Sequence, residues 1–340
     1  MNASLQVKHV VELPQGFTAR GASMNDIELA FKLFNRWSRS ALGWDEFSDT
    51  HSILDEWTTP GVDLAEDTRL VFAPNGELAG YIEVWTKDPP TVHPELWGRV
   101  DPSYEDSGLG TWMLHWAEQR ALQSLERVPA GTRFAPRVGT FRQAENPKKL
   151  FEDFGYRHIR SFYQMLIELD TPMPAPEFPE GIELRPFIKG EQDIAVWQAQ
   201  NETFRDHWGH HDVTFEEWKR DRIEDSEFDP TLWFLATDKQ SAEIVGYAIC
   251  RSRSFQRPDV GWVRSLGVRR PWRKRGIGLA LLRHAFHEFY RRGKRKVGLG
   301  VDSQNLTGAL RLYENAGMRV ERAFDFYEKE LRAGRDVEEE

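Results

Sequence analysis

The stretch Val263–Gly278 reads Val-Arg-Ser-Leu-Gly-Val-Arg-Arg-Pro-Trp-Arg-Lys-Arg-Gly-Ile-Gly, and its residue types can hold an anion. A short apolar strand ending at Val268 runs into a turn rich in arginine and glycine. Leu281, Leu282, Ala285, Phe286, Phe289 and Tyr290 then follow at helical spacing. The first turn of a helix carries backbone N–H groups with no intrahelical acceptor, and they point where a phosphate can sit. Gly276 and Gly278 lack a Cβ, so the backbone can turn tightly and approach a ligand. Arg273, Lys274 and Arg275 add full positive charge at the same place. The pattern is that of a pyrophosphate cradle. It is neither the G-x-x-x-x-G-K-[ST] loop nor the three-glycine dinucleotide fingerprint.

A second run lies downstream, Asn305-Leu-Thr-Gly-Ala-Leu-Arg-Leu-Tyr-Glu-Asn-Ala-Gly-Met318. Within it Tyr313 offers a phenol on a short helix, the kind of group that can hand a proton to a leaving group. The spacing predicts a helix over 277–292 and a strand over 296–301 between the two runs. Together the runs resemble the signatures of the GNAT superfamily of acyl-CoA N-acyltransferases. Arg273–Gly278 matches its R/Q-x-x-G-x-G/A motif. Asn305–Met318 resembles its later Asn-Ala-Leu-Tyr-Gly-Phe signature, with Met318 in place of the final Phe. The resemblance covers Gly181 to Leu331.

This resemblance implies transfer of an acetyl group from acetyl-CoA to a primary amine of a small molecule, by direct attack in a ternary complex. Arg273, Lys274, Arg275, Gly276, Ile277 and Gly278 would hold the coenzyme pyrophosphate. The strand ending at Val268 would splay from the strand at Val297–Val301, with pantetheine in the gap. Leu266 and Val268 would bond it through their backbones, and Asn305 would bind the pantetheine arm. Tyr313 would act as general acid to the leaving thiolate. The carboxylate bases of several relatives fall here on Trp262 and Gly300. Asp302 is therefore the expected catalytic carboxylate, with Asp259 and a chain of waters left as alternatives. In Phe204–Asp212, the residues Asp206, His207 and Trp208 are expected to bind the acceptor. His207, His210, His211 and Asp212 have no partner pair at zinc spacing, so no metal is expected. A non-catalytic acyl-CoA sensing module and a protein N-acetyltransferase are the alternative functions.

The elements that position these residues recur twice. Gly16–Arg20 corresponds to Gly181–Arg185, Gly80-Tyr81 to Gly246-Tyr247, and Val100–Gly110 to Val268–Gly278. Leu150–Gly155 corresponds to Leu312–Gly317 and Phe162-Tyr163 to Phe326-Tyr327, at offsets of 162 to 168 residues. Such long offsets mean tandem domains rather than solenoid repeats. The halves differ in charge: residues 266–296 hold eleven basic side chains against one acid, whereas 98–128 hold five acids against three bases. Glu105 stands where the second half has Arg273, and Phe151 where it has Tyr313. A carboxylate repels a pyrophosphate at any plausible dielectric. The first half is expected to keep the fold without catalysis.

The expected fold class is α/β (α+β), with two tandem GNAT-like domains, each a central mixed β-sheet flanked by helices. The boundaries expected are a degenerate domain over 1–170, a linker over 171–180 with four prolines in 171–179, a catalytic domain over 181–334, and an acidic tail over 335–340. The chain has 340 residues, 40% hydrophobic and 29% charged, as in ordinary globular proteins. No apolar run is long enough to span a bilayer, and the first residues show no apolar signal-peptide core. The single cysteine, Cys250, excludes an internal disulfide and reads as a core residue. A formal net charge of −9 speaks against nucleic acid as a partner. The expectation is a cytoplasmic monomer, its two halves forming a pseudo-dimer.

Overall fold

The computed structural model describes residues 11–86, 91–205, 212–254, 257–305 and 308–336. The first half of the chain holds β1 (Thr18–Arg20), α1 (Ile27–Leu42), α2 (His51–Trp57), α3 (Leu64–Asp67), β2 (Thr68–Phe72) and β3 (Leu78–Trp85). It continues through β4 (Glu95–Val100), α4 (Leu109–Gln123), β5 (Arg137–Phe141), α5 (Glu145–Asp153) and β6 (Arg157–Glu168). The second half holds β7 (Ile182–Pro186), α6 (Asp193–Phe204), α7 (Phe215–Arg222), β8 (Trp233–Asp238) and β9 (Ile244–Arg251). It ends with β10 (Val260–Val268), α8 (Ile277–Arg291), β11 (Lys296–Asp302), α9 (Ala309–Asn315) and β12 (Arg319–Glu328).

These elements form two compact units, Met1–Ile159 with Phe324–Glu340, and Arg160–Ala323. The strand order is β1-β2-β3-β4-β5-β12 in the first and β6-β11-β10-β9-β8-β7 in the second. In each, neighbouring strands run antiparallel except one central parallel pair, β4 with β5 and β10 with β11. The expected mixed sheets flanked by helices are present.

Apolar patterning explains the layers. In the second unit every residue of β9 is buried, as a strand covered on both faces requires. On one face α8 presents Ile277, Leu281, Leu282, Ala285, Phe286 and Phe289 to the core. On the other face α6 and α7 pack through Val196, Ala199 and Trp218 against Trp233, Leu235, Tyr247 and Ile249. Cys250 lies in the α8-side core, as a core residue should. The first unit repeats the scheme, with α1 and α2 on one face and α4 on the other.

The units do not divide at the proline-rich segment. Strand β6 pairs with β11 from Lys296↔Glu168 to Asp302↔Phe162, and β12 pairs with β5 from Phe324↔Phe141 to Glu328↔Arg137. Met165, Ile167 and Leu169 thus fill the core of the second unit, and Tyr327 that of the first. Burial of these side chains outweighs the sequence boundary, so the breaks fall at 159/160 and 323/324. Residues 171–180 are laid on the second unit: Met173 and Phe178 pack against its core, and His287 Nδ1 lies 2.7 Å from the Met173 carbonyl oxygen. The expected tail is partly docked as well, since the Arg335 amide donates to the Gly131 carbonyl at 2.8 Å and Asp336 pairs with Arg133 at 3.3 Å.

The first unit holds a fully buried ion pair. Arg99 and Glu46, with side chains 3% and 5% exposed, meet at 2.7 Å. The guanidinium also lies 4.0 Å from the ring centre of Trp37 and 4.2 Å from that of Trp97. Removing one partner strands a buried charge. Arg99→Ala is expected to lower the unfolding free energy of this unit by about 3–5 kcal/mol, measured by urea denaturation. The pair Arg99→Met with Glu46→Leu should cost much less.

Candidate active site

The second unit contains a cleft of about 370 Å³, lined by Leu266, Val268, Trp272, Arg273, Lys274, Gly276, Ile277, Gly278 and Tyr313, among others. Its origin is a broken ladder. Strands β10 and β11 pair from Val260↔Lys296 to Val263↔Leu299 and no further. Against β9 the register of β10 shifts between Val263 and Ser265, leaving Arg264 as the bulged residue. Past that point β10 leaves β11, and the gap between them opens.

The loop after β10 is built for close approach of a ligand. Lys274 and Gly276 are left-handed, with φ of 61° and 84°. Gly276 caps α8, and the first intrahelical bond runs from the Ala280 amide to the Gly276 carbonyl at 3.0 Å. The amides of Ile277, Gly278 and Leu279 therefore precede the helical ladder. A Cβ on Gly278 would sit 3.0 Å from Leu312 Cδ1 and 3.5 Å from Val268 Cγ2. Arg273 Nε donates to the Val268 carbonyl at 3.1 Å, which ties the loop to the strand end. The Arg275 guanidinium lies 4.9 Å from the Trp272 ring centre. A negatively charged, phosphate-bearing ligand fits this cradle in shape and charge.

Tyr313 sits on α9 at the cleft wall, 8% exposed. Among the described residues its hydroxyl makes no hydrogen bond. Burial, and then the nearby Tyr247, raise its pKa to about 12. Tyr247 is itself fully buried, and its hydroxyl lies 2.6 Å from Thr203 Oγ1 on α6.

The GNAT acetyltransferase family model matches residues 31–134 and again 194–318. A mycothiol acetyltransferase of Thermobispora bispora is 33% identical over 255 residues, covering 71% of this chain and 76% of that protein. A GCN5-related N-acetyltransferase from Sphaerobacter thermophilus superposes with a TM-score of 0.83 at 36% identity, covering 96% of this chain and 99% of that one. This chain belongs to the GNAT acetyltransferase family. It is an acyltransferase with the GNAT fold twice over. A tandem GNAT protein of clavulanic acid biosynthesis shares that fold at 14% identity, with a TM-score of 0.71.

The cleft of the second unit gathers Leu266, Val268, Arg273, Lys274, Gly276, Ile277, Gly278 and Tyr313. Arg275 is turned onto Trp272 rather than lining it. Asn305 lies in the turn after β11, its amide donating to the Asp302 carbonyl at 3.1 Å, and Gly308 lines the cleft instead. Asp302 is also outside the lining. It is buried, lies 3.2 Å from Arg160 Nε and accepts from the Gln304 amide at 2.9 Å, the contacts of a turn-forming carboxylate. Asp259 precedes β10 at the end remote from Val268, paired with Arg257 and Lys296 at 3.6 and 3.5 Å. Asp206, His207 and Trp208 lie outside the described residues. Among the described residues no cluster of three or more metal-ligating side chains occurs, and no helix is long and apolar enough to cross a membrane.

Thr203 also lines the cleft without having been singled out in the sequence. Thr203 carries no motif; only the packing of α6 under β10 brings it there. The Cβ of an alanine at 267 would lie 2.5 Å from the Tyr247 hydroxyl and 2.7 Å from Thr203 Oγ1. Gly267→Ala is expected to lower the unfolding free energy by about 1–3 kcal/mol through overpacking, measured by chemical denaturation.

The first unit has a corresponding cleft of about 220 Å³, lined by Val100, Glu105, Asp106, Gly108, Gly110 and Phe151, among others. Asp106 and Gly108, with φ of 62° and 84°, repeat the backbone of Lys274 and Gly276. Glu105 is bonded by Asn146 Nδ2 at 2.6 Å. The backbone form is kept and the charge is reversed.

Proposed function

We propose that this acetyltransferase carries the acetyl group of acetyl-CoA to a primary amine of a small molecule, in the cytoplasm and as a monomer, using the cleft of the second unit. The amine nitrogen attacks the thioester carbonyl, the C–N bond forms and the C–S bond breaks. Alignment of the two substrates supplies much of the rate in such a reaction. The cradle at Arg273–Gly278 takes the pyrophosphate, and the unpaired edge of β10 at Leu266 and Val268 takes the pantetheine arm as an added strand. Asn305 stays near that arm, at the turn into α9.

The observation that carries this reading is the Tyr313 phenol, buried at the cleft wall with no hydrogen-bond partner among the described residues. A phenol whose pKa is raised to about 12 remains protonated across the physiological range. It gives its proton to the departing thiolate. Asp302, held by Arg160 and the Gln304 amide, lies outside the cleft lining, so water conducts the amine proton to solvent. Relatives named as mycothiol acetyltransferases support a small-molecule acceptor over a protein. The first unit, with Glu105 and Asp106 at its loop, serves as a non-catalytic partner fold.

Tyr313→Phe should lower kcat by about 10²–10⁴-fold with little change in stability. In the parent enzyme the protonated form persists as pH rises towards 12, so kcat should show no alkaline loss from this group below about pH 10; a loss near pH 8 that vanishes in the variant would count against the assignment. Calorimetric titration with acetyl-CoA should give one binding event per chain, abolished by Arg273→Glu. Two events, one surviving the substitution, would place a second working site in the first unit.

A further inference from the structure

A group of arginines lies on the α6/α7 side of the second unit's sheet, beside the cleft but outside its lining. Trp262 of β10 and Arg251 of β9 are register partners and share a face. The neighbouring Gly261 faces α8, since a Cβ there would lie 2.5 Å from Phe289, so Arg251 and Trp262 face away from α8. The bulged Arg264 reaches towards the end of α7, donating from Nη1 to the Asp221 carbonyl and to Asp225 Oδ2, both at 2.9 Å. Arg251 also bonds Asp225. Arg222, the last residue of α7, completes the group. Its Nη1 donates to the Asp221 carbonyl at 3.4 Å, and its Nε is buried with no acceptor among the described residues.

Asp225 serves both Arg251 and Arg264, and the exposed Asp221 pairs with Arg220 at 3.5 Å. The nearby acids Glu224 and Glu227 are engaged by Lys219 and Arg253. Among the described residues Arg222 is thus left without a carboxylate in contact, beside Arg264, which is 23% exposed. Burial, and then repulsion from Arg222 and Arg251, pulls the Arg264 pKa well below its usual range. Burial lowers that of Arg222 too, against the opposing pull of Asp221 and then of Tyr247, whose hydroxyl bonds Thr203 of the cleft. A guanidinium without a carboxylate contact in a half-buried setting binds carboxylate or phosphate oxygens in forked geometry.

We propose that the acceptor amine carries an anionic oxygen group, a carboxylate or a phosphate ester, which seats on Arg222 and Arg264. This rests on the reading of the protein as an amine acetyltransferase and narrows its substrate class. Arg264 precedes Leu266 and Val268 by two and four residues, so the anion lies about 7–13 Å along the strand from the cleft at about 3.3 Å per residue. That is the reach of a small amino acid-like or phosphorylated amine. Trp262, which shares a face with Arg251, adds no negative charge to repel such a substrate.

The test has two arms. In the first, arginine Nε–Hε signals of the full-length protein are followed by NMR during titration with inorganic phosphate or acetate against chloride at constant ionic strength, with and without coenzyme A. Saturable shifts at Arg222 and Arg264, lost in Arg222→Gln, are expected, and the stronger of the two anions names the group. In the second arm, primary amines are compared in matched pairs with and without the anionic group. The charged member should have at least tenfold higher kcat/KM. Arg264→Gln should remove that preference with acetyl-CoA affinity unchanged, and Arg264→Lys should restore part of it. Arg222→Gln, which breaks only the long contact to Asp221, gives the same reading should Arg264→Gln fail to fold. Equal use of both amines by the parent enzyme, or no anion-specific shift, would overturn the proposal while acetyl-CoA binding still stands. Failure of acetyl-CoA to bind would instead remove the acetyltransfer reading and leave the anion titration to judge the arginines.

Discussion

The second unit depends on the place where β10 and β11 stop pairing. Their parallel ladder ends at Val263↔Leu299, one residue before the bulge at Arg264. A continued ladder would fill the gap with backbone hydrogen bonds and leave no room between the strands. The break exposes the edge of β10 at Leu266 and Val268 and aims the strand end at the α8 cap. It also turns Arg264 towards α7. One extra residue in a strand thus sets both the open cleft and the charged group beside it, which is the re-aiming effect expected of a bulge near a site.

What surrounds that break is rigid. Gly276 as a left-handed cap, the bond from Arg273 to Val268, and the contact of Gly278 with Leu312 hold the loop against strand and helix. Under the sheet, the Thr203–Tyr247 bond ties α6 to β9, and the bond from Gln200 to Ser265 at 2.9 Å ties it to β10. Fixed donors cost less reorganisation when charge arrives than mobile ones do. The first unit shows that this backbone is not sufficient. Asp106 and Gly108 reproduce the turn of Lys274 and Gly276 almost degree for degree, yet Glu105 and Asp106 give it the opposite charge. Shape was retained because the helix cap and the sheet need it, whereas charge at an exposed loop is under no such packing demand.

Sequence alone determined what depends on local chemistry. The loop Arg273–Gly278, the apolar spacing of α8, the Tyr313 position and the internal repeat are all contiguous patterns, and the family and the mixed-sheet fold follow from them. Even the reversed charge of the first half was legible, because it is written in residue types. Tertiary structure decided everything that depends on residues distant in the chain. The exchange of β6 and β12 between the units, which moves the boundary away from the proline-rich segment, reflects where Met165, Ile167 and Tyr327 find burial. Asp302 stands at a strand end in the sequence, and only the fold brings Arg160 from β6 against it. Thr203 and the arginines at 222, 251 and 264 come from four separate elements, and no spacing rule links them. Their meeting is set by how α6 and α7 pack on β9 and β10, and packing of that kind is a property of the folded surface rather than of any segment.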